Sequence, residues 1–272
     1  MKKLIALVSV LSLIFCGCST TTNNDDVQTA NDKKDVEVTD KLSDDEINSL
    51  DNTLVGFGQG VEVNEKNVPT GAIQFNEKYK DLSAYSYNED EAKITLTFDQ
   101  GYENGYTSQI LDTLKEKKVH AVFFVLLDYA EKNPELIKRM IDEGHTVANH
   151  SATHPSFPSI STDEMIDEVM QVHDYMKENY NYEMTLFRFP KGEFSQKSLG
   201  VVKNCGYESV FWSFAYADWD VNNQPDETQA LEKIVAGAHE GAIYLLHSVS
   251  KTNANVLGDA IDQIREKGFE FK

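Results

Sequence analysis

From Lys93 to its end the chain alternates apolar runs of strand length with amphipathic helical patterns. The runs are Ile94–Phe98, Ala121–Leu127, Thr146–Ala148, Leu186–Phe189, Ser209–Phe214, Ala242–Leu246 and Phe269–Phe271, each apolar, β-branched or aromatic. Between them Ile110, Leu111 and Leu114 share one helix face, and Leu136, Ile137, Met140 and Ile141 another. Ser161-Thr162-Asp163-Glu164 is a capping box that opens a helix through Met165, Ile166, Val169, Val172 and Met176. The pattern continues at Ala230, Ile234, Val235 and Ala238 and again at Ala260, Ile261 and Ile264, with Gly144, Gly206, Gly241 and Gly268 as stop signals. Strands and helices in such alternation predict an α/β fold around a parallel sheet, open or closed. In a closed barrel the chemistry sits at the C-terminal ends of the strands.

Those ends are where the reactive residues fall. Thr97–Gly101 reads TFDQG, His150–His154 HSATH, Arg188–Gly192 RFPKG, Ala217–Trp219 ADW and Leu245–His247 LLH. Together they supply a carboxylate, two imidazoles at metal-ligand spacing, a guanidinium and a further ionisable imidazole, the equipment of a hydrolase that cleaves an amide or ester with metal-bound water. Singly, each string has a bland reading. An Asp after a strand is usually a turn former or helix cap, and HxxxH arises often by chance; on a helical turn or tight loop, however, both rings can face one ion. The constellation favours chemistry at Asp99, His150, His154 and His247. His120, His145, His173 and His239 lack such company and read as packing or surface residues, and Cys205 as a small packed residue at a helix end.

A formal net charge of −20 argues against a nucleic-acid partner, whose phosphates repel such a surface. Any grip on an anionic substrate must come from local cations in a cleft, with Arg188, Lys191 and Lys251 as candidates.

The N-terminal end reads as targeting. Lys2 and Lys3 precede an apolar or small run from Leu4 to Phe15, and Cys16-Gly17-Cys18 follows. The run is shorter than the roughly 20 residues that span a bilayer. It resembles a bacterial lipoprotein signal, which implies removal of residues 1–17, lipidation of Cys18 and anchoring at the outer face of the plasma membrane, including the forespore intermembrane space; plain secretion is the alternative. Residues 18–51, rich in Thr, Asn, Asp, Glu and Lys, are expected to form a disordered acidic tether. Residues 52–92 carry Phe57, Phe75, Tyr79 and Tyr85 without a clean period and are expected to pack as an extension on a catalytic domain at 93–272.

The ordered strings, with the longer TFDQGYENGYT, RFPKGEFS, FWSFAYADWD and GAIYLLHSVS, resemble the polysaccharide deacetylases with a NodB homology domain, carbohydrate esterase family 4, and within it the branch that deacetylates muramic acid toward muramic-δ-lactam in spore cortex. The resemblance implies a distorted (β/α)7 barrel and a divalent metal, zinc foremost with manganese or cobalt as alternatives. It implies Asp99 as general base, His247 as general acid and Arg188 as the residue that orients Asp99. His150, His154 and position 100 correspond to the metal ligands; Gln100 replaces the family's usual carboxylate and coordinates directly, acts through water or leaves the ion to the two imidazoles. Asp218 matches the fourth motif and holds Arg188 or tunes His247. The backbone N–H of Tyr102 corresponds to an oxyanion donor, Leu245 lines the acetyl pocket, and Trp219 is either its wall or core. Lys191, where the wider family has an aromatic residue, is the expected contact for a lactyl carboxylate. A peptidoglycan glycan strand is the expected partner and a monomer the expected state. A deacetylase of N-acetylglucosamine in cell wall or chitin-like oligomers, and a glycan-binding lipoprotein without catalysis, are the alternatives.

Overall fold

The computed structural model describes residues 41–89 and 91–272. The leader, Cys18 and tether residues 18–40 lie outside them. In chain order the elements are α1 (Asp44–Ser49), β1 (Val55–Gly56), α2 (Thr70–Tyr79), β2 (Ala84–Tyr85), β3 (Thr95–Gln100), α3 (Thr107–Lys117), β4 (Ala121–Val125), α4 (Leu127–Lys132), α5 (Pro134–Asp142) and β5 (Thr146–Asn149). They continue with α6 (Thr162–Tyr180), β6 (Leu186–Phe187), β7 (Glu193–Phe194), α7 (Gln196–Asn204), β8 (Glu208–Val210), β9 (Phe214–Ala215), α8 (Glu227–Ala236), β10 (Ile243–His247) and α9 (Lys251–Glu266).

Eight strands form one parallel sheet in the order β2-β8-β6-β5-β4-β3-β10-β9. β3 and β4 are buried at every position, as strands covered on both faces must be, and this is why they read as continuous apolar runs rather than as alternation. The sheet curls into a half-barrel. Its connectivity requires the curl: β8 lies second from one edge and β9 at the other, yet only Phe211, Trp212 and Ser213 separate them, which span little more than about 13 Å even when extended.

Two predicted strands differ from the observed ones. The run Ser209–Phe214 is split into β8 and β9, because the carbonyls of Val210 and Phe211 accept from the Arg188 guanidinium, at 3.0 and 3.1 Å, instead of from a neighbouring strand. The run Phe269–Phe271 reduces to a single bridge from Phe271 to Ile94. The eighth strand, β2, comes from the aperiodic residues 52–92 and pairs with β8.

Those residues also pair β1 antiparallel with β7 and place the Phe57 ring edge-on to Phe75, Phe211 and Trp212, with centroids 4.7, 5.0 and 5.1 Å away. The expectation of a disordered tether through residue 51 is corrected at its C-terminal end. Ser43 and Glu46 form a capping box that starts α1, and Ile47, 5% exposed, is buried in the core cluster. The seat for α1 is Gly200 in α7: a Cβ there would meet Leu50 at 2.7 Å and Ile47 at 2.9 Å. Asn204 closes the join, donating to the Leu42 carbonyl at 2.7 Å and accepting from its N–H at 2.9 Å. Composition averaged over the segment hides one buried Ile and one cap. Among the described residues no helix is long and apolar enough to cross a membrane.

If α1 is part of the folded unit, Ile47→Ala should destabilise the protein by about 2 kcal/mol, the low end of the range for emptying a buried Ile site. Urea unfolding of the two proteins measures the difference, and equal midpoints would return α1 to the tether.

Candidate active site

The C-terminal ends of β3, β5, β6, β9 and β10 open onto a cleft of about 740 Å3. Parallel pairing puts His247 of β10 directly beside Asp99 of β3, so both side chains lie on the same face of the sheet. Asp99, His150, His154, Lys191, Trp219, Leu245, His247 and Tyr102 all line the cleft.

Asp99 is held from behind. Arg188, fully buried, donates from Nη1 to Asp99 Oδ1 at 2.8 Å and to Thr97 Oγ1 at 2.7 Å, while its guanidinium lies 4.1 Å from the centre of the Phe124 ring. Burial alone would raise the Asp99 carboxyl, but the charge of Arg188 foremost outweighs it and holds the group below its ordinary value. Asp99 is therefore an anion with its second oxygen, Oδ2, left for other partners.

One such partner is His150, whose Nε2 lies 3.5 Å from Asp99 Oδ2. His150 Nδ1 donates to the Arg188 carbonyl at 2.9 Å; a carbonyl can only accept, which fixes the tautomer and leaves Nε2 with its lone pair. His154 comes to it through a loop, not a helical turn. Ser151 and His154 both have left-handed backbone, with φ of 77° and 64°, and the Ser151 hydroxyl accepts from His154 N–H at 3.0 Å. The two rings stand 5.0 Å apart. Burial pushes the His150 imidazole down, and pushes that of His154 to about 4 with help from His150, so both rings are neutral near pH 7.

Gln100 is buried and does not line the cleft. Strand alternation turns it off the Asp99 face, where its Nε2 donates to Ser248 Oγ at 2.5 Å and its Oε1 has no hydrogen-bond partner. Among the described residues no group of three His, Cys, Asp or Glu is arranged to hold a metal. The two neutral imidazoles of His150 and His154 nonetheless suit a borderline divalent cation, and the donors that line the cleft fit a metal held chiefly by nitrogen.

His247 has a different setting. Its Nδ1 donates to Asp218 Oδ1 at 2.7 Å, and its backbone N–H donates to Asp218 Oδ2 at 2.8 Å. Burial works against the imidazolium, but the charge and hydrogen bond of Asp218, then Asp99, raise its pKa above the ordinary value. Of the two roles open to Asp218 in the sequence, the contact made is with His247, while Arg188 bonds to Asp99.

Trp219 is a wall and not core: it is 58% exposed, with its ring 6.2 Å from that of His247. Among the described residues that line the cleft, Lys191 is the one Lys or Arg. Arg188 has its charge paired with Asp99. Lys251, a third candidate cation, starts α9 and does not line the cleft. Cys205, its thiol pushed by burial up to about 11, is chemically quiet.

Several residues of the site have no signal in the sequence. Asn253 of α9 donates to Asp218 Oδ2 at 2.5 Å and accepts from the Tyr216 hydroxyl, a link across 35 residues that no local pattern marks. Gly58 and Gln59 line the cleft from an aperiodic segment.

Comparisons with known proteins agree with this fold. The family model for polysaccharide deacetylase matches residues 86–210. The chain is 40% identical over 226 residues to the peptidoglycan-N-acetylmuramic acid deacetylase PdaA of Bacillus subtilis, covering 82% of this chain and 86% of that one. It is 44% identical over 211 residues to an uncharacterised 30.6 kDa protein of Geobacillus stearothermophilus, covering 77% and 80%. The solved structure of B. subtilis PdaA, a family 4 carbohydrate esterase, superposes with a TM-score of 0.77 at 40% identity, covering 82% of this chain and 96% of that one. A mutant of a pseudoenzyme of the same esterase family from Bacillus anthracis, with restored activity, superposes at 0.65 and 25% identity, covering 69% and 68%.

Arg188→Met should strand Asp99 as an unpaired buried charge and cost about 3–5 kcal/mol at neutral pH. The folded pKa of Asp99 is depressed below 3.8, so the pair's contribution is complete above that value and lost as pH falls through the lower folded one. Urea unfolding at pH 7 and again below pH 3 should show the gap between the two proteins shrink with acid; a constant gap would mean the guanidinium acts by packing alone.

Proposed function

The chain belongs to the polysaccharide deacetylase family, carbohydrate esterase family 4, and from that membership we propose that it hydrolyses the acetamide of N-acetylmuramic acid residues lacking stem peptide, toward muramic-δ-lactam in spore cortex. Peptidoglycan N-deacetylation is the activity named for its relative PdaA. The observation that carries the reading is a base and an acid in register across β3 and β10, each set in its working protonation state by its own buried partner.

His150 and His154 would hold the divalent ion, and Gln100, turned off the cleft face, would leave the rest of its shell to solvent. When bound, such an ion polarises the acetyl carbonyl and acidifies water; imidazole donors suit zinc foremost, with cobalt and manganese as alternatives. Asp99 accepts at Oδ2 the proton of the attacking water, with Arg188 keeping the carboxylate ionised and fixed. Negative charge then grows on the acetyl oxygen, within reach of the Tyr102 backbone N–H, which would stabilise it. His247, its Nδ1 held by Asp218, gives the proton on Nε2 to the sugar nitrogen as the C–N bond breaks, and acetate and a free amine result. Trp219 and Leu245 enclose the acetyl methyl, and Lys191 pairs with the lactyl carboxylate that stem-peptide removal exposes.

In the same reading residues 1–17 are removed, Cys18 carries a lipid, and the segment up to residue 40 holds a monomeric enzyme at the outer face of the membrane, where the glycan is. The pseudoenzyme relative keeps a second reading in play, a glycan-binding protein without turnover, and the missing carboxylate at position 100 is what favours it.

Acetate release by residues 19–272, supplied in turn with zinc, manganese and cobalt, separates these readings. Metal-dependent release from peptide-free glycan alone is expected, with Lys191→Met raising KM several-fold and leaving kcat unchanged. Release only from chitin-like oligomers would move the substrate, and none under any ion would leave the binding reading.

Asp218→Asn tests the acid. His247 must be protonated to act, so activity should fall as pH rises through its raised pKa. Removing the Asp218 charge should move that basic limb to lower pH and reduce kcat about 10²-fold, the lower end for a lost general acid. A pH–rate profile with an unmoved basic limb would assign the proton to another group.

A further inference from the structure

The wall of the cleft built by residues outside the alternating strand–helix region is held too firmly for a passing loop. Gln59 follows β1, whose pairing with β7 is extended by the hydrogen bond from Phe57 N–H to the Gly192 carbonyl at 2.9 Å. The Phe57 ring is anchored in the aromatic box beside it. From the other side α2 presses on the same backbone: a Cβ on Gly71 would lie 2.6 Å from the Gln59 carbonyl oxygen, so only glycine allows that approach.

The side chain is fixed as well. Gln59 Oε1 accepts from Trp212 Nε1 at 2.9 Å, and its Nε2 donates to the Ala215 carbonyl at 3.2 Å. A side-chain amide has two N–H donors and two oxygen lone pairs, so one of each stays uncommitted on a half-buried residue that lines the cleft. Gln59 makes no hydrogen bond to Asp99, His150, His154 or His247. Its anchor Ala215 lies on β9, two strands from the β3 that carries Asp99, and a rigid neutral donor–acceptor pair there is suited to sugar hydroxyl and acetamido groups, which likewise both donate and accept. We propose that Gln59 is a specificity-determining residue that binds the amino sugar next to the one being deacetylated, so that the enzyme prefers a glycan strand to a single sugar.

This rests on the deacetylase reading, and the test keeps the two apart. KM and kcat are measured for wild type, Gln59→Ala and Gln59→Glu on peptide-free glycan strands and on free N-acetylmuramic acid. In parallel, calorimetry on full chains that also carry Asp99→Asn measures strand affinity without turnover. Gln59→Glu keeps the acceptor for Trp212 and loses the donor, which guards against misfolding. Both variants should raise KM and Kd for strands about two- to tenfold, the value of one hydrogen bond, with kcat and the single-sugar kinetics unchanged. Unchanged strand KM and Kd, or a fall in kcat on both substrates, would overturn the proposal and make Gln59 a structural tie for Trp212. If wild type releases no acetate but strand Kd still differs between wild type and variants, the deacetylase reading fails and the Gln59 contact stands; if wild type binds no strand, both fail.

Discussion

The buried guanidinium of Arg188 is the group on which the rest of the structure turns. It takes the carbonyls of Val210 and Phe211 where β8 breaks off and the chain crosses to β9, and so fills the gap left in the curled sheet. The same cation bonds Asp99 and Thr97, and its own backbone carbonyl orients His150. One residue thus satisfies a sheet defect, keeps Asp99 ionised and sets the tautomer of a candidate ligand. A charge this deep costs far more than a surface ion pair returns, and it persists because four of its five N–H donors find acceptors.

Two carboxylates close to each other in the fold have opposite duties. Asp99 has a guanidinium behind it and one oxygen facing the cleft; Asp218 is turned away, both oxygens taken by His247 and Asn253. The first can receive a proton from solvent in the cleft. The second can only hold its neighbour charged. Their division of labour comes from what surrounds each, with identical side-chain chemistry.

Much of this was legible in the sequence because it is local. Continuous apolar runs marked β3, β4 and β10, and the capping box at Ser161 marked α6, since burial on both faces and capping leave a residue-by-residue trace. Reactive residues at strand ends were legible for the same reason. What stayed hidden depends on partners far along the chain. The break at residues 211–213 is decided by Arg188, α1 by the absence of a side chain at Gly200, and the strand β2 by an edge of β8 that does not exist until the sheet has formed. Asp218 was visible as a candidate, but its choice of His247 over Arg188 needed the position of Asn253.

The substitution at position 100 fits an electrostatic limit of the site. Arg188 neutralises Asp99, Asp218 neutralises a protonated His247, and His150 and His154 are neutral. The buried centre is therefore close to electroneutral in a chain of net charge −20, and Lys191 at its edge tips the cleft toward anions. A carboxylate at position 100, fully buried against Ser248, would add a buried negative charge on the face of β3 that does not line the cleft. The amide of Gln100 offers an oxygen without that charge. A site built this way gives up some attraction for a cation and keeps its buried centre close to electroneutral.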